Sequence, residues 1–238
     1  MGPAQERKGP SVRTGMKVAI GVGAAVVAVG VVAGIYGPGL YADRANEAAD
    51  DEPTLQASMA PLSDTEAVEG TWTVGEGSFA GYRVDEVLQG ADVTVTGRTE
   101  DVTGSVTVAD GAITAADVEV DVTSVATDEA RRDEYFRDQA MEVDTYPTAV
   151  FELTDPAELE TGATSVALTG NLTLHGVTRP ATVEAEVAGD AAGGGPVQVI
   201  GSVPITFTDF GVEAPDLGFV SVEDEGVIEF SLQLETQE

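Results

Sequence analysis

The chain reads Arg132-Asp133-Glu134-Tyr135-Phe136-Arg137, then Tyr146-Pro147-Thr148-Ala149-Val150-Phe151-Glu152, then Leu168-Thr169-Gly170-Asn171-Leu172-Thr173-Leu174-His175-Gly176-Val177-Thr178. The first stretch predicts a short helix, because Thr127 or Asp128 can cap its amino end and acids follow in its first turn. The second predicts entry into a strand, since a proline favours extended backbone in the residue before it. The third predicts a strand that leads into a tight turn.

Away from this helix the chain alternates apolar and polar residues, as strands with one buried face do. The alternation is clearest at 118–122, 166–174 and 228–234. Further strands are predicted near Thr71 to Val74, Gly81 to Leu88, Asp92 to Arg98, Val102 to Val108, Ala149 to Thr154, Ala181 to Val187 and Val197 to Phe207. Eight or nine antiparallel strands with one helix fit a sandwich or a closed barrel, and this periodicity does not separate the two.

The helix start, the Tyr-Pro strand entry and the Gly-containing hairpin strand, in this order, resemble the YceI-like family of extracytoplasmic lipid-binding proteins. The resemblance covers about Gly70 to Leu234. It implies an all-β fold, a lipocalin-like antiparallel β-barrel of about eight strands with one short helix. It also implies a non-catalytic role and a long apolar guest, a polyisoprenoid lipid or a quinone, as the only bound group.

Several residues are predicted to meet such a guest in the pocket or at its mouth. Two arginines are candidates to bind a phosphate or quinone head group, because the domain has few cations. The alternative is a structural role, in which each arginine forms an ion pair with one of the abundant acids. Aromatic rings are candidates to contact the guest, either in the lumen or from a loop at 214–226 that is predicted to cover one mouth. The set is Arg132, Arg137, Phe136, Phe151, Phe207, Phe210 and Phe219.

The amino-terminal part predicts a single transmembrane helix. Val18 to Tyr36 is a run of 19 residues without a charge, which as a helix spans about 28 Å, close to the thickness of the bilayer core. Its basic flank lies on the amino side, so residues 1–17 are expected in the cytoplasm and the following domain outside. A signal peptide cleaved after Val31-Val32-Ala33 is the alternative, and it also exports the domain.

The domain organisation follows from these patterns. Residues 1–17 are a basic cytoplasmic terminus, 18–41 the transmembrane helix or signal anchor ended by Gly37-Pro38-Gly39, 42–69 an acidic linker containing alanine and proline, and 70–238 the barrel domain. The linker is predicted to be solvated and flexible, because it lacks an apolar period. A Gly-x-x-x-Gly pair, Gly30 and Gly34, gives only weak support for dimerisation in a segment this rich in small residues.

Composition excludes several classes of function. From residue 18 onward 41 acids and 7 arginines leave a charge of about −34, which disfavours binding to nucleic acid. No cysteine is present, so disulfides, thiol nucleophiles and cysteine-based zinc sites are absent. His175 is the single histidine; a turn residue is the better interpretation than a metal ligand or a catalytic base. No cofactor, metal site or catalytic residue is predicted.

Overall fold

A computed structural model describes residues 37–56, 59, 68–160, 162, 164–189, 195, 197–216 and 218–236. The predicted transmembrane run, the cleavage site and the Gly30/Gly34 pair lie outside these residues. Within the described ranges, none of the helices combines the length and apolar character needed to cross a bilayer.

Eleven strands account for most of the described chain. The first is β1, Gly70–Val74, and the last is β11, Val220–Thr236. Between them lie β2 Phe79–Leu88, β3 Ala91–Thr99, β4 Val102–Ala109, β5 Ala112–Asp121, β6 Thr148–Leu153, β7 Ala157–Glu158, β8 Ser165–Leu174, β9 Val177–Gly189 and β10 Val197–Thr206. All pairings are antiparallel, so the all-β prediction is confirmed.

The sheet closes into an eight-stranded barrel. Its order is β1-β4-β5-β6-β8-β9-β10-β11, and β11 pairs back to β1. β1 and β2 lie end to end along the long β11, with Val74 opposite Leu234 and Phe79 opposite Ser231. β3 pairs with β2, and β4 pairs with β1. The β2–β3 hairpin therefore extends one side of the barrel beyond the ring that β1 and β4 help to close.

Alternation decides which side chains face the lumen. Apolar residues at even positions of β8 and of the second half of β11 belong to one core cluster, as the sequence predicts; examples are Leu168, Leu172, Leu232 and Leu234. Acidic residues at most intervening positions, such as Glu152 on β6, are exposed, whereas Glu229 on β11 is buried. The barrel is therefore apolar inside and acidic outside.

The predicted helix is shorter and less regular than its sequence indicates. A helix, α2, spans Ala130–Tyr135, and a single π-turn, Phe136–Ala140, continues it. Glu129 is the N-cap, whereas Thr127 uses its backbone N–H and hydroxyl to donate to Asp133. Ala126, just before this segment, bridges to Arg98 of β3, and the chain after the segment enters β6.

Gly37-Pro38-Gly39, predicted to end a helix, is itself helical, and the described part of the predicted linker 42–69 is docked on the barrel instead of being flexible. Residues 37–48 form a helix, which we call α1. Ala42 and Ala45 are buried against Val84, Val93 and Val95 on the inner face of the β2–β3 hairpin. Burial of this small-residue face outweighs the weak helix propensity of the Gly-Pro-Gly sequence.

Residues 49–56 continue from α1 across the outside of the barrel, and we call them the strap. Before the strap begins, Asn46 bonds the free edge of β3: its amide oxygen accepts from the Thr94 N–H at 2.7 Å, and its amide nitrogen donates to the Asp92 carbonyl at 3.2 Å. The strap then crosses to β10, where the Gln56 N–H donates to the Gln198 side chain at 2.8 Å. The chain thus wraps around an otherwise unpaired strand edge.

We call the end of the barrel that carries α1, α2 and the β2–β3 turn the mouth end. It also carries the His175-Gly176 turn and a 3-10 turn, Phe207–Phe210. The opposite end is closed near Val68, whose carbonyl accepts a 2.8 Å hydrogen bond from the Trp72 indole. Among the described residues, α1, α2 and the 3-10 turn Phe207–Phe210 therefore all lie at the mouth end.

Candidate ligand site in the barrel lumen

The closed half of the lumen contains an entirely apolar cavity of about 60 Å³. Its wall comes from seven strands and two flanking segments, and its lining residues are valines, leucines and other apolar side chains, among them Trp72, Ala116, Leu168, Val187 and Leu234. A cavity of about 150 Å³ holds benzene. The space present is smaller, so a long guest requires side chains or α1 to move.

Four aromatic rings lie flat against the wall of the lumen. In each case the ring covers a glycine, and a Cβ at that glycine would lie within about 2.6 Å of it. The pairs are Tyr82 on Gly97, Phe151 on Gly170, Phe230 on Gly201 and Phe207 on Gly226. Since the glycines supply no side chain, the rings occupy the wall rather than crossing the lumen.

A polar cluster lies where the apolar lumen opens at the mouth end. Tyr82 stacks on Phe136, with ring centroids 5.2 Å apart and planes 10° apart. Arg132 donates to Asp128 at 2.6 Å and lies 3.9 Å from the Glu86 carboxylate. Glu86 and Tyr82 alternate with Val84 on the inner face of β2, so the cluster is at the top of the lumen and beneath α1.

Burial affects the ionisation of this cluster. Burial raises the pKa of the Tyr82 phenol, which stays neutral. Burial also raises the pKa of Glu86, and the nearby Arg132 opposes that shift only in part. For Arg132, burial lowers the pKa, but its hydrogen bond to Asp128 and the charge of Glu86 more than compensate, so the net pKa is raised. The cluster therefore holds one permanent cation at the mouth.

The structure brings most of the predicted ligand-contact residues to the lumen or its mouth. Phe136, Phe151 and Phe207 pack against the core cluster, and Phe210 is buried within it. Arg132 belongs to the polar cluster. Arg137 is half-buried in the π-turn.

Phe219 differs from the other predicted rings, because it lies at the mouth and outside the lumen. Its side chain is 55% exposed, and it lies beside the β2–β3 turn, where the Gln89 N–H donates to its carbonyl at 2.9 Å. The predicted loop 214–226 is shorter than expected, because β11 begins at Val220. Phe219 therefore contacts the outside of the mouth and not the lumen.

Sequence reasoning missed Tyr82 and Glu86, the two lumen-facing polar residues of β2. The signal was present, because Ala80, Tyr82, Val84 and Glu86 alternate with Arg83 and Asp85. A polar residue in phase with apolar neighbours indicates a buried polar position. Phe230 was also missed, although it lies in phase with Ile228 and Leu232 on a predicted strand.

His175 occupies the turn between β8 and β9. Its φ is 49°, and Gly176 follows with a φ of 72°, as two-residue hairpin turns require. The ring lies 3.3 Å from the Phe210 carbonyl and 3.3 Å from Glu142, with its edge on Tyr146 at a centroid distance of 4.6 Å. In the described part of the chain, no group of three or more His, Asp or Glu residues is arranged to hold a metal.

A closed eight-stranded barrel with an apolar lumen and a polar cluster at one mouth defines a class: small barrels that either hold one slender ligand or fill the lumen with side chains. The chain belongs to the YceI-like domain family, which matches residues 72–234. Both amino-terminal features, α1 and the strap, precede the matched region.

Solved structures share this fold. A polyisoprenoid binding domain from Saccharophagus degradans, implicated in plant cell wall breakdown, aligns with a TM-score of 0.54 and 20% identity over 71% of this chain and 99% of that one. BcnA of Burkholderia cenocepacia aligns with a TM-score of 0.50 and 23% identity over 65% of this chain and 96% of that one. These identities show the fold alone.

Relatives of higher identity cover less of the chain. A UPF0312 protein of Pseudomonas aeruginosa is 39% identical over 110 residues, 44% of this chain and 56% of that protein. A UPF0312 protein of Vibrio campbellii is 37% identical over 109 residues, with the same coverage. The chain thus spans about half the length of the curated relatives it matches.

Proposed function

We propose that this protein is a membrane-tethered, extracytoplasmic barrel that binds one long isoprenoid chain in its lumen and catalyses no reaction. The observation that carries the proposal is the closed barrel with an apolar lumen that ends in a polar cluster. Family membership supports it, as does the fold shared with a domain described as polyisoprenoid binding.

The lumen suits a slender apolar guest for a physical reason. Removing isoprenyl carbon from water is worth about 25 cal/mol per Å², and a closed wall shields a chain on every side. The inner wall is built largely from valine, alanine and leucine, and the aromatic rings are held against inward-facing glycines. A chain would lie along the barrel axis between these rings.

The polar cluster would receive the head group. Arg132 is the cation at the top of the lumen, and Tyr82 supplies a neutral phenol beside it. A guanidinium binds phosphate well, and a phenol can donate to a quinone carbonyl. The buried Glu86 carboxylate would disfavour an anionic head unless it is protonated, because like charges at close range repel.

The first experiment measures the guest. The full chain, isolated from membranes in mild detergent, is analysed by native mass spectrometry and organic extraction, and then offered a polyprenyl alcohol, a polyprenyl phosphate and a prenylated quinone. We expect one guest per chain, with the head-group preference read from the three probes. Isolation without a guest and no uptake of any probe would contradict the proposal.

Two alanines on β5 give a matched pair of variants. Ala116 lines the cavity, whereas Ala115 is exposed on the outer face. Ala116→Leu should reduce the bound isoprenoid by obstructing the lumen, and Ala115→Leu should leave it unchanged. Equal retention by both variants would show that the guest lies elsewhere.

A second candidate is an envelope interaction domain whose barrel is filled by its own side chains. The small cavity, about 60 Å³, favours it. In that case Ala116→Leu would alter stability alone, and no probe would bind.

A further inference from the structure

The large apolar residues that are exposed in the described chain gather at one end of the barrel. They lie on four separate segments: α1, the end of β2, α2 and the residue before β11. Their side chains are 37% to 69% exposed, and they are Leu40, Tyr41, Val87, Tyr135 and Phe219. We call this set the mouth rim.

Contacts between the segments place these residues around the same opening. Phe219 sits beside the β2–β3 turn through the Gln89 hydrogen bond, and Val87 is opposite Ser221 in the register of β2 and β11. Tyr41 directly precedes Ala42, which is buried against Val84 and Val93 of the β2–β3 hairpin. On α2, Arg132 lies 3.9 Å from Glu86, near the end of β2. Tyr135 is one turn further along the same helix. The rim therefore surrounds the polar cluster at the top of the lumen.

The far end of the barrel has a different surface. Large apolar residues at that end, such as Val68, Trp72 and Ile113, are buried, and Glu69 caps the β4–β5 turn by accepting from the Gly111 N–H at 2.8 Å. Within the described ranges that end exposes no large apolar side chain of comparable extent. A one-sided apolar surface of this kind marks an interaction site.

The chain itself indicates the occupant. The uncharged run from Val18 to Tyr36 ends directly before Gly37, the first described residue of α1, and Leu40 and Tyr41 follow within about 8 Å of helix rise. If that run spans a bilayer, so short a connection leaves the rim at the bilayer surface. Tyrosine is suited to that location, because its ring is apolar and its hydroxyl remains hydrated.

We propose that the mouth rim rests on the surface of the bilayer, so that the lumen opens directly toward lipid. The proposal rests on the membrane-tethering part of the proposed function. Contact is made by apolar and aromatic insertion and not by charge, because the domain is strongly acidic and anionic lipid repels it. It should therefore persist at high salt and be stronger on zwitterionic than on anionic vesicles.

The absence of cysteine from the chain permits a direct test. Full-length single-cysteine variants, Val87→Cys and Phe219→Cys at the rim and Thr114→Cys as an exposed control at the far end, are labelled with an environment-sensitive fluorophore. The proteins are reconstituted in phosphatidylcholine vesicles, oriented with the domain outside, with and without spin-labelled lipid. We expect spin-label quenching at least threefold greater at the rim than at Thr114, unchanged in 0.5 M NaCl.

Other results overturn the proposal in distinguishable ways. Equal quenching at both ends, in protein that floats with the vesicles, would contradict rim contact and leave tethering intact. A blue shift of rim probes without quenching would assign the rim to a protein contact, and quenching abolished by salt would contradict apolar insertion. Failure to float would contradict tethering and rim contact together. Isoprenoid content, measured on the same samples, reports separately on the lumen.

A rim variant completes the test. Phe219→Asp, with the probe at Val87, should reduce quenching of that probe at least twofold, because a charge replaces an inserting ring. Glu223→Asp, which keeps the charge of a nearby exposed residue, is the control and should leave quenching unchanged. Equal quenching in the two variants would show that Phe219 makes no contact with lipid.

Discussion

The Arg83 guanidinium lies 2.6 Å from the Glu229 carboxylate, on the outer face of the barrel beneath the strap. The same arginine donates at 2.7 Å to the Asp50 carbonyl of the strap. Glu229 is nearly inaccessible, with 5% of its side chain exposed. One side chain thus neutralises a buried acid on β11 and fixes the amino-terminal segment to the barrel.

Arg83→Ala should destabilise the fold by about 3 kcal/mol, because it removes the short ion pair of the buried Glu229 carboxylate and leaves it the longer contact with Arg98, at 3.7 Å. The double variant Arg83→Ala/Glu229→Gln should recover part of that loss, since the remaining amide is neutral. Urea unfolding, followed by fluorescence of the single and buried Trp72, measures both. Equal losses in the single and double variants would show that the buried charge is not the cause.

Asn46→Ala should expose the free edge of β3. The Thr94 N–H donates to the Asn46 side chain, so hydrogen exchange at that amide should accelerate by at least tenfold. Asn46→Asp keeps the acceptor and loses only the bond to the Asp92 carbonyl, so Thr94 should stay protected. Fast exchange at Thr94 in the wild-type chain would contradict the docking of α1 on this edge.

Gly201→Ala should destabilise the barrel by about 1–3 kcal/mol through overpacking. A Cβ at this position would lie 2.5 Å from the Phe230 ring. Adding Phe230→Leu to the variant should restore part of the stability, because the smaller side chain clears the space. The control is Gly39→Ala on α1, where nothing lies within 4 Å of the added Cβ; it should be neutral or stabilise by up to about 1 kcal/mol.

Glu86→Gln should raise stability more at neutral than at acidic pH. Burial raises the pKa of Glu86 above its ordinary value of 4.5. Between pH 4.5 and the folded-state pKa, the Glu86 carboxyl is therefore protonated in the folded chain and ionised in the unfolded chain. Stability therefore falls as pH rises from about 4.5 through the folded pKa. Glu86→Gln lacks this pH-dependent loss of stability, so the difference in stability between the variant and the wild-type chain should vanish below pH 4.5. Unfolding midpoints across pH 4 to 8 test it; a constant difference would exclude linkage to Glu86.

Arg132→Ala should weaken retention of an isoprenoid with a phosphate head more than that of the corresponding alcohol. Arg132 is the cation of the polar cluster, whereas Arg131, one residue earlier on α2, is exposed. Arg131→Ala is therefore the matched control and should retain both lipids. The ratio of bound phosphate to bound alcohol is the readout, because a purely structural role for Arg132 would lower both equally.

Most strand positions and the inward or outward direction of their side chains were predictable. Leu168, Leu172, Leu232 and Leu234 lie in the core as their period of two indicates. Such predictions succeed because alternation is a local property of extended backbone. Closure of the sheet was predictable only through the family resemblance, since β11 pairs with β1 across almost the whole domain.

The amino-terminal segment could not be predicted in this way. Asp50 and Asp51 look like solvated linker residues, but their carbonyls bind Arg83 and Arg98 on strands 33 and 47 positions away. These contacts use backbone atoms, so the side-chain pattern carries no sign of them. The docking of α1 depends likewise on alanines whose burial partners lie on another element.

The amino-acid sequence by itself determined the alternating strands, the acidic exterior and the uncharged run before the domain, because each is a property of neighbouring residues. Tertiary structure alone decided that Glu229, at an outward position of β11, became buried beneath the strap. It also gathered the exposed apolar residues of four distant segments at one mouth. Distance and burial arise only when the barrel closes, and they determine where charge is costly and where apolar surface remains.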